Sequence, residues 1–136
     1  SSSSAASDVY KRQDYIAQSL YKVENAGYTP VLAHIERYPD LFKNIKMIEQ
    51  IIEGGAYIQV NASSVEGRLG GGVKRQIIKM MKKGLVHFVA TDAHSNRSRA
   101  PQLEECIRYI EKKLGSDYVK KLFIDNPEKM VHNEYI

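Results

Sequence analysis

Three short apolar segments at regular intervals limit the folds open to this chain. They begin near Val31, Ala56 and Val86, and each is preceded or followed by a segment whose apolar residues recur at helical spacing. Strands that alternate with helices at intervals of roughly 25 to 30 residues are typical of parallel βαβ units. The segments are apolar on both faces, as in strands that helices cover or surround. We therefore predict an α/β fold with parallel strands and the helices outside them.

Glycine and proline separate the predicted helices. A first helix starts near Asp14 and stops at Gly27, and a second starts at Pro39 and stops at Gly54. A polar, glycine-rich connection comes after the middle strand. The remaining helices are predicted at 73–83 and 101–114, followed by two short helices in 117–136 that are split near Asn126.

The amino-terminal residues do not share the pattern of the rest of the chain. Residues 3–13, SSAASDVYKRQ, are similar to the conceptual translation of a common sequencing-library adapter, and they have no hydrophobic pattern that joins them to the first predicted helix. We interpret residues 1–13 as a disordered, adapter-derived extension. Residues 14–136 then form the natural segment, which is expected to start near Asp14 inside a longer gene.

Composition and charge argue against several functional classes. A chain of 136 residues, 43% of them hydrophobic, suits one ordinary domain core, and the net charge of +4 is modest, with the lysines largely on predicted helices alongside Glu and Asp as on a solvated surface. We see no nucleic-acid patch. The single cysteine, Cys106, lies in a helical pattern and is predicted to be a buried hydrophobe. No segment approaches the roughly 18 apolar residues of a membrane span, and no signal-peptide core is visible, so we expect a cytoplasmic protein.

Polar side chains follow each predicted strand, where the carboxyl ends of parallel strands meet at one edge. Asp92 and His94 are two residues apart, so in an extended segment their side chains point to the same side. A carboxylate and an imidazole favour a divalent ion such as Mn, Fe or Zn, and arginine favours a phosphate or carboxylate guest. We therefore predict a shared metal and anion site. Its candidate residues, strand by strand, are His34 and Arg37; Asn61, Ser63 and Ser64; and Asp92, His94 and Arg99.

Three motifs carry a resemblance to a known family. LAHIERY (32–38), YIQVNASSVEGRLG (57–70) and ATDAHSNRSRAP (90–101) resemble the carboxyl-terminal half of bacterial tyrosine-protein phosphatases of the polymerase-and-histidinol-phosphatase (PHP) superfamily, of the CpsB and YwqE type. The resemblance implies part of a distorted (β/α)7 barrel with a cluster of divalent ions, usually manganese. It also implies that the substrate is phosphotyrosine on a bacterial tyrosine kinase that governs capsule or exopolysaccharide assembly.

The resemblance also implies roles for individual residues. His34, Asp92 and His94 correspond to metal ligands, with Mn²⁺ expected and other divalent metals possible, while Arg37 and Arg99 correspond to phosphate-holding arginines. The amino-terminal half of the family supplies a His-x-His motif, a further histidine, an aspartate and a bridging glutamate, which have no counterpart here. We therefore predict that the 136-residue chain alone is inactive or nearly so.

Several alternatives stay open at this stage. Glu36 is either an orienter of a metal ligand or an exposed acid. His87 and His132 are predicted to be structural and solvent-exposed, respectively, and Arg97 to be a loop charge. For function, the alternatives are a small-molecule phosphatase of the histidinol-phosphate type and a non-catalytic α/β module that binds metal or phosphate.

Overall fold

Three parallel strands form one sheet in the part of the chain that the structure describes. The computed structural model describes the backbone of residues 2–91 and 99–136, and the side chains of residues 14–91 and 103–136. Strand β1 (Val31–Leu32) pairs with β2 (Tyr57–Asn61), which pairs with β3 (Phe88–Ala90). Both pairings are parallel, with Leu32 beside Ile58 and Asn61 beside Ala90. The predicted α/β fold with parallel strands is therefore confirmed.

Helices make up most of the remaining described residues. A 3-10 turn covers Ile35–Arg37, and a π-helical turn, Lys121–Asp125, joins the last two helices. No helix among residues 2–91 and 99–136 combines the length and the hydropathy that crossing a bilayer requires. The helices are α1 (Ser2–Asn25), α2 (Pro39–Phe42), α3 (Ile45–Glu53), α4 (Ala62–Val65), α5 (Gly71–Lys82), α6 (Arg99–Leu114), α7 (Ser116–Lys120) and α8 (Asn126–Val131).

The predicted second helix is in fact two helices, α2 and α3. Asn44 has non-helical backbone angles (φ −100°, ψ 82°), and its side-chain oxygen accepts a hydrogen bond of 3.1 Å from the backbone N–H of Met47. This is an N-cap, which starts a new helix inside an apolar run that reads as continuous. The glycine-rich connection also differs from the prediction, because its first residues form the short helix α4.

Strand β3 begins later than predicted because His87 interrupts the regular hydrogen-bond ladder. The backbone N–H of His87 donates to the Ile58 carbonyl, but the Ile58 N–H donates to the Nδ1 atom of the His87 ring at 3.0 Å. The His87 carbonyl accepts instead from Asn126 Nδ2 at 2.9 Å. Regular pairing therefore starts at Phe88, although Leu85 and Val86 are buried as predicted.

The core lies against the central strand. Ile58 and Val60 on β2 are fully buried, and they belong to one cluster with apolar side chains from α3, α5 and α6. Full burial of an aliphatic side chain contributes about 1.5 to 3 kcal/mol, so this cluster holds the sheet firmly in place. The carboxyl ends of the strands are therefore presented on a rigid support.

The first helix, α1, extends further toward the amino terminus than predicted. It begins at Ser2, whereas the apolar pattern starts near Asp14. Ile16 and Leu20 pack against the core cluster. The adapter origin of residues 1–13 stays a prediction.

Candidate metal and phosphate site

His34 lies immediately beyond β1 in a conformation that few non-glycine residues adopt. Its backbone is left-handed (φ 55°, ψ 44°), and it leads directly into the 3-10 turn. Such a conformation costs about 1 to 3 kcal/mol and persists only where the surroundings enforce it. Ile35 and Glu36, the next two residues, are 0% and 5% exposed, so the core anchors the turn that holds His34.

The His34 ring faces the end of the neighbouring strand. Its Nδ1 atom lies 2.5 Å from Oδ1 of Asn61, the last residue of β2. An amide oxygen only accepts hydrogen bonds, so in the neutral ring Nδ1 must donate. The proton then sits on Nδ1, and Nε2 keeps the lone pair that a metal ligand uses.

Glu36 connects the 3-10 turn after β1 to the end of β2 and to α4. Its Oε1 atom accepts hydrogen bonds from the Asn61 backbone N–H at 2.7 Å and from Ser64 Oγ at 2.8 Å. Its Oε2 atom is buried and has no hydrogen-bond partner in the described part of the chain. The alternative that Glu36 is an exposed acid is therefore wrong.

A polar cleft of about 230 Å³ opens beside this network. Guanidinium and hydroxyl groups in such a cleft are hydrogen-bond donors suited to phosphate or carboxylate oxygens. The sequence prediction does not include two of the lining residues, Arg68 and Leu69, which lie in the polar, glycine-rich connection after the middle strand. The lining residues are Arg37, Asn61, Ser63, Ser64, Arg68 and Leu69.

The predicted site residues divide into two groups. His34 and Asn61 are in contact, and Arg37 lines the adjacent cleft. Asp92, His94 and Arg97 lie outside the described residues. Arg99 is the first residue of α6, and its side chain belongs to the part that is not described. Within the described ranges, no three histidine, cysteine, aspartate or glutamate side chains come close enough to hold a metal.

The other histidines and the cysteine have structural surroundings. His87 is 9% exposed, and its burial, assisted by the charge of Lys121, lowers its pKa to about 4. His132 is exposed. Burial, together with the nearby Glu66 carboxylate, raises the pKa of Cys106 to about 12, so its thiolate does not form near neutral pH. The predictions for His87, His132 and Cys106 are confirmed.

Comparison with known proteins connects this geometry to one family. Residues 7–132 match the family model for capsular polysaccharide synthesis, CpsB/CapC. The tyrosine-protein phosphatase CpsB of Streptococcus pneumoniae is 38% identical in an alignment of 126 residues that covers 89% of this chain and 52% of that protein. The putative tyrosine-protein phosphatase CapC of Staphylococcus aureus is 32% identical over 90% of this chain and 48% of its own length.

The fold of this chain also matches that of a solved crystal structure. The chain is similar to one from the crystal structures of YwqE from Bacillus subtilis and CpsB from Streptococcus pneumoniae, described as unique metal-dependent tyrosine phosphatases. The TM-score is 0.79 at 32% identity, with coverage of 90% of this chain and 49% of that chain. The chain therefore spans about half the length of the relatives that it matches.

Proposed function

This chain belongs to the CpsB/CapC family of capsular polysaccharide synthesis proteins, and on that basis we propose that it is the carboxyl-terminal half of a metal-dependent protein-tyrosine phosphatase. The observation that supports the proposal is the contact between His34 Nδ1 and Asn61 Oδ1, because it leaves the lone pair of His34 Nε2 for a metal, and Asn61 also lines the cleft that Arg37 lines. The relatives that match along this chain are named tyrosine-protein phosphatases.

The metal site that we propose uses His34 together with Asp92 and His94. The donor set fits a divalent first-row ion, because it combines a neutral imidazole with a carboxylate, and we propose Mn²⁺. When bound, such an ion lowers the pKa of a coordinated water and polarises phosphoryl oxygens. In this chain, Asn61 holds the His34 ring in the tautomer that keeps Nε2 unprotonated.

The arginines handle the phosphoryl group in this proposal. Arg37 lines the cleft next to Asn61, and its guanidinium can donate two parallel hydrogen bonds to phosphate oxygens. Arg99 would add positive charge from the start of α6. Preorganised donors of this kind stabilise the charge that develops on the transferring group. No protein thiol takes part, which agrees with the raised pKa of Cys106.

The remainder of the site would come from an amino-terminal half. We propose that the three parallel strands are part of a (β/α)7 barrel and that the missing half supplies the other metal ligands. The 136-residue chain alone would then be inactive or nearly so. The substrate would be phosphotyrosine on a bacterial tyrosine kinase that controls capsule or exopolysaccharide synthesis, and the location would be the cytoplasm.

The test starts from the source DNA upstream of the Asp14 codon. The proposal predicts an open frame of about one further half-barrel with a His-x-His motif near its start. The protein made from that frame should hydrolyse a phosphotyrosine peptide when Mn²⁺ is supplied, and faster than it hydrolyses histidinol phosphate. The 136-residue chain, assayed in parallel, should show nearly no turnover.

Three results would count against the proposal. A frame without the missing ligands, encoding a protein that binds Mn²⁺ or phosphate but hydrolyses neither substrate, would favour the binding-module alternative. Preference for histidinol phosphate would assign the chain to the small-molecule phosphatases instead. Clear Mn²⁺-dependent turnover by the 136-residue chain would contradict the predicted need for a second half.

A further inference from the structure

We propose that Glu36 is a positioning residue: its buried carboxylate holds Asn61 in place, and through Asn61 it sets the orientation and tautomer of the His34 ring. The metal affinity of His34 then depends on a residue that does not touch the metal. This inference rests on the proposed function only in so far as His34 is a metal ligand. The effect on the His34 ring itself does not require a metal.

Glu36 joins two segments that meet at the site. It lies in the 3-10 turn after β1, and its Oε1 atom accepts from the Asn61 N–H at the end of β2 and from Ser64 Oγ in α4. Asn61 and Ser64 are each 2% exposed, so water does not compete for these hydrogen bonds. Glu36 therefore fixes the backbone of Asn61 relative to the turn that carries His34.

The Asn61 side chain does not cap the helix that it precedes, α4. Asn61 is the N-cap residue of α4, where an asparagine oxygen commonly accepts from a backbone N–H of the first helical turn. Here the Asn61 side chain makes no capping hydrogen bond, and its Oδ1 atom faces His34 Nδ1 instead. Because Asn61 does not cap the helix, its side chain is available to orient the imidazole.

The energetics of Glu36 also favour a role in the site. The Oε2 atom of Glu36 is buried and has no hydrogen-bond partner in the described part of the chain, which lowers the stability of the fold. Apolar residues of similar volume often replace buried ionic groups with no loss of stability, whereas truncating one partner of such a network is costly. The benefit of Glu36 therefore lies in the geometry that it imposes on Asn61 and His34.

The experiment measures the His34 ring directly in the metal-free 136-residue chain. Long-range ¹H–¹⁵N correlation spectra report which ring nitrogen carries the proton, and Zn²⁺ titration reports the affinity. The variants are Glu36→Ala, which removes the acceptor, and Glu36→Gln, which keeps an oxygen acceptor in the same place. Ser64→Ala removes only one of the two donors to Glu36, and Glu53→Ala changes an exposed acid on α3 as the matched control.

The expected result is a graded loss. The wild type and the Glu53→Ala variant should show the proton on His34 Nδ1, whereas Glu36→Ala should show a mixture of tautomers. Its Zn²⁺ affinity should be about 10- to 100-fold weaker, the usual effect of losing a group that supports a metal ligand. Glu36→Gln should restore most of the wild-type tautomer and affinity, and Ser64→Ala should fall between the two.

The outcomes separate the inference from the proposed function. If the amide spectrum of Glu36→Ala is native-like and the His34 tautomer is unchanged, the positioning role is wrong. If Glu36→Ala does not fold, an unchanged tautomer in Ser64→Ala together with a mixture in Asn61→Ala would equally overturn it. If the tautomer changes but wild-type His34 responds to Zn²⁺ neither in the 136-residue chain nor in the protein made from the complete reading frame, the positioning role stands and the metal site of the proposed function fails.

Discussion

Two histidines of this chain use the same ring atom in opposite ways. His34 Nδ1 faces a carbonyl oxygen of Asn61 and must donate, whereas His87 Nδ1 accepts the backbone N–H of Ile58. The neutral His34 ring therefore carries its proton on Nδ1 and offers Nε2 to a ligand, and His87 carries its proton on Nε2. The partner of one nitrogen thus decides whether a histidine is suited to bind a metal or to complete a sheet.

The surroundings of the two rings reinforce this difference. His34 lies beyond the end of a strand, in a strained turn beside a polar cleft. His87 is buried immediately before β3, with its ring centroid 4.9 Å from that of Tyr57 and its carbonyl hydrogen-bonded to Asn126 Nδ2. Residues at the strand ends, such as His34, are therefore available for binding and catalysis, whereas His87 in the interior of the same sheet stabilises the fold.

The largest expected effect comes from removing His34. In the protein made from the complete reading frame, His34→Ala should lower Mn²⁺-dependent hydrolysis of a phosphotyrosine peptide by more than about 100-fold, because even groups that only support a metal ligand contribute 10- to 100-fold. His132→Ala, a change at an exposed histidine, is the control and should have no effect. Undiminished hydrolysis by His34→Ala would contradict the assignment of His34 as a metal ligand, and with it the functional difference between His34 and His87.

The next effect concerns His87 and pH. The pKa of His87 is lowered from 6.5 to about 4 in the folded chain, so the unfolded chain binds the proton more readily. The contribution of the neutral His87 ring to the free energy of unfolding is fully present above pH 6.5 and is lost as the pH falls from 6.5 to about 4. At 1.36 kcal/mol per pKa unit, the loss is about 3 kcal/mol.

Urea unfolding of the wild type and of His87→Phe, measured across this pH range, checks the prediction. Phenylalanine leaves the Ile58 N–H without its acceptor, so the variant should be less stable at neutral pH by about 1 to 3 kcal/mol. The difference should shrink toward pH 4, because phenylalanine does not titrate. A constant difference at every pH would show that protonation of His87 does not matter.

Removing Arg37 should affect phosphate handling and leave the metal in place. Arg37→Ala should lower kcat/KM for a phosphotyrosine peptide by about 10- to 100-fold, the equivalent of losing hydrogen bonds to a charged group. Mn²⁺ affinity, measured by electron paramagnetic resonance, should stay unchanged. Arg75→Ala, at an exposed arginine outside the cleft, is the control. A parallel loss of metal affinity would mean that Arg37 supports His34 rather than phosphate.

The smallest expected effect belongs to Cys106. Cys106→Ala should leave phosphotyrosine hydrolysis unchanged, because its raised pKa keeps the thiol protonated and uncharged thiols are poor nucleophiles. The native chain should also resist iodoacetamide at neutral pH. Abolished hydrolysis in a folded Cys106→Ala variant would point to thiol chemistry and away from His34.

The fold could be predicted where periodicity is strong and not where single side chains take over backbone roles. The parallel strands follow from short apolar runs between helices. Asn44 starts α3 inside a continuous apolar pattern, and the His87 ring occupies a position in the β3 ladder that the apolar run from Leu85 conceals. The role of the His87 ring depends on a tertiary contact that a sequence pattern does not contain, whereas the Asn44 cap is local and is concealed by the apolar run around it.

The candidate site shows the same division. His34, Asn61 and Arg37 could be predicted because they follow strands, and the structure brings them to one edge. The burial of Glu36 could not be predicted, since a lone acid in a sequence is ordinarily exposed and only packing brings its carboxyl group to the Asn61 N–H. Arg68 could not be predicted, because its glycine-rich surroundings carry no helical or strand pattern that would place its side chain.

The most direct test of the difference between the two histidines is a ring-nitrogen spectrum of the ¹⁵N-labelled chain before and after Zn²⁺ is added, with Zn²⁺ standing in for Mn²⁺ because it is diamagnetic. We predict the proton on Nδ1 of His34 and on Nε2 of His87 in the metal-free chain, and a shift of His34 Nε2 with none at His87 when Zn²⁺ binds. The same tautomer for both rings, or a Zn²⁺ response at His87 and none at His34, would contradict the account.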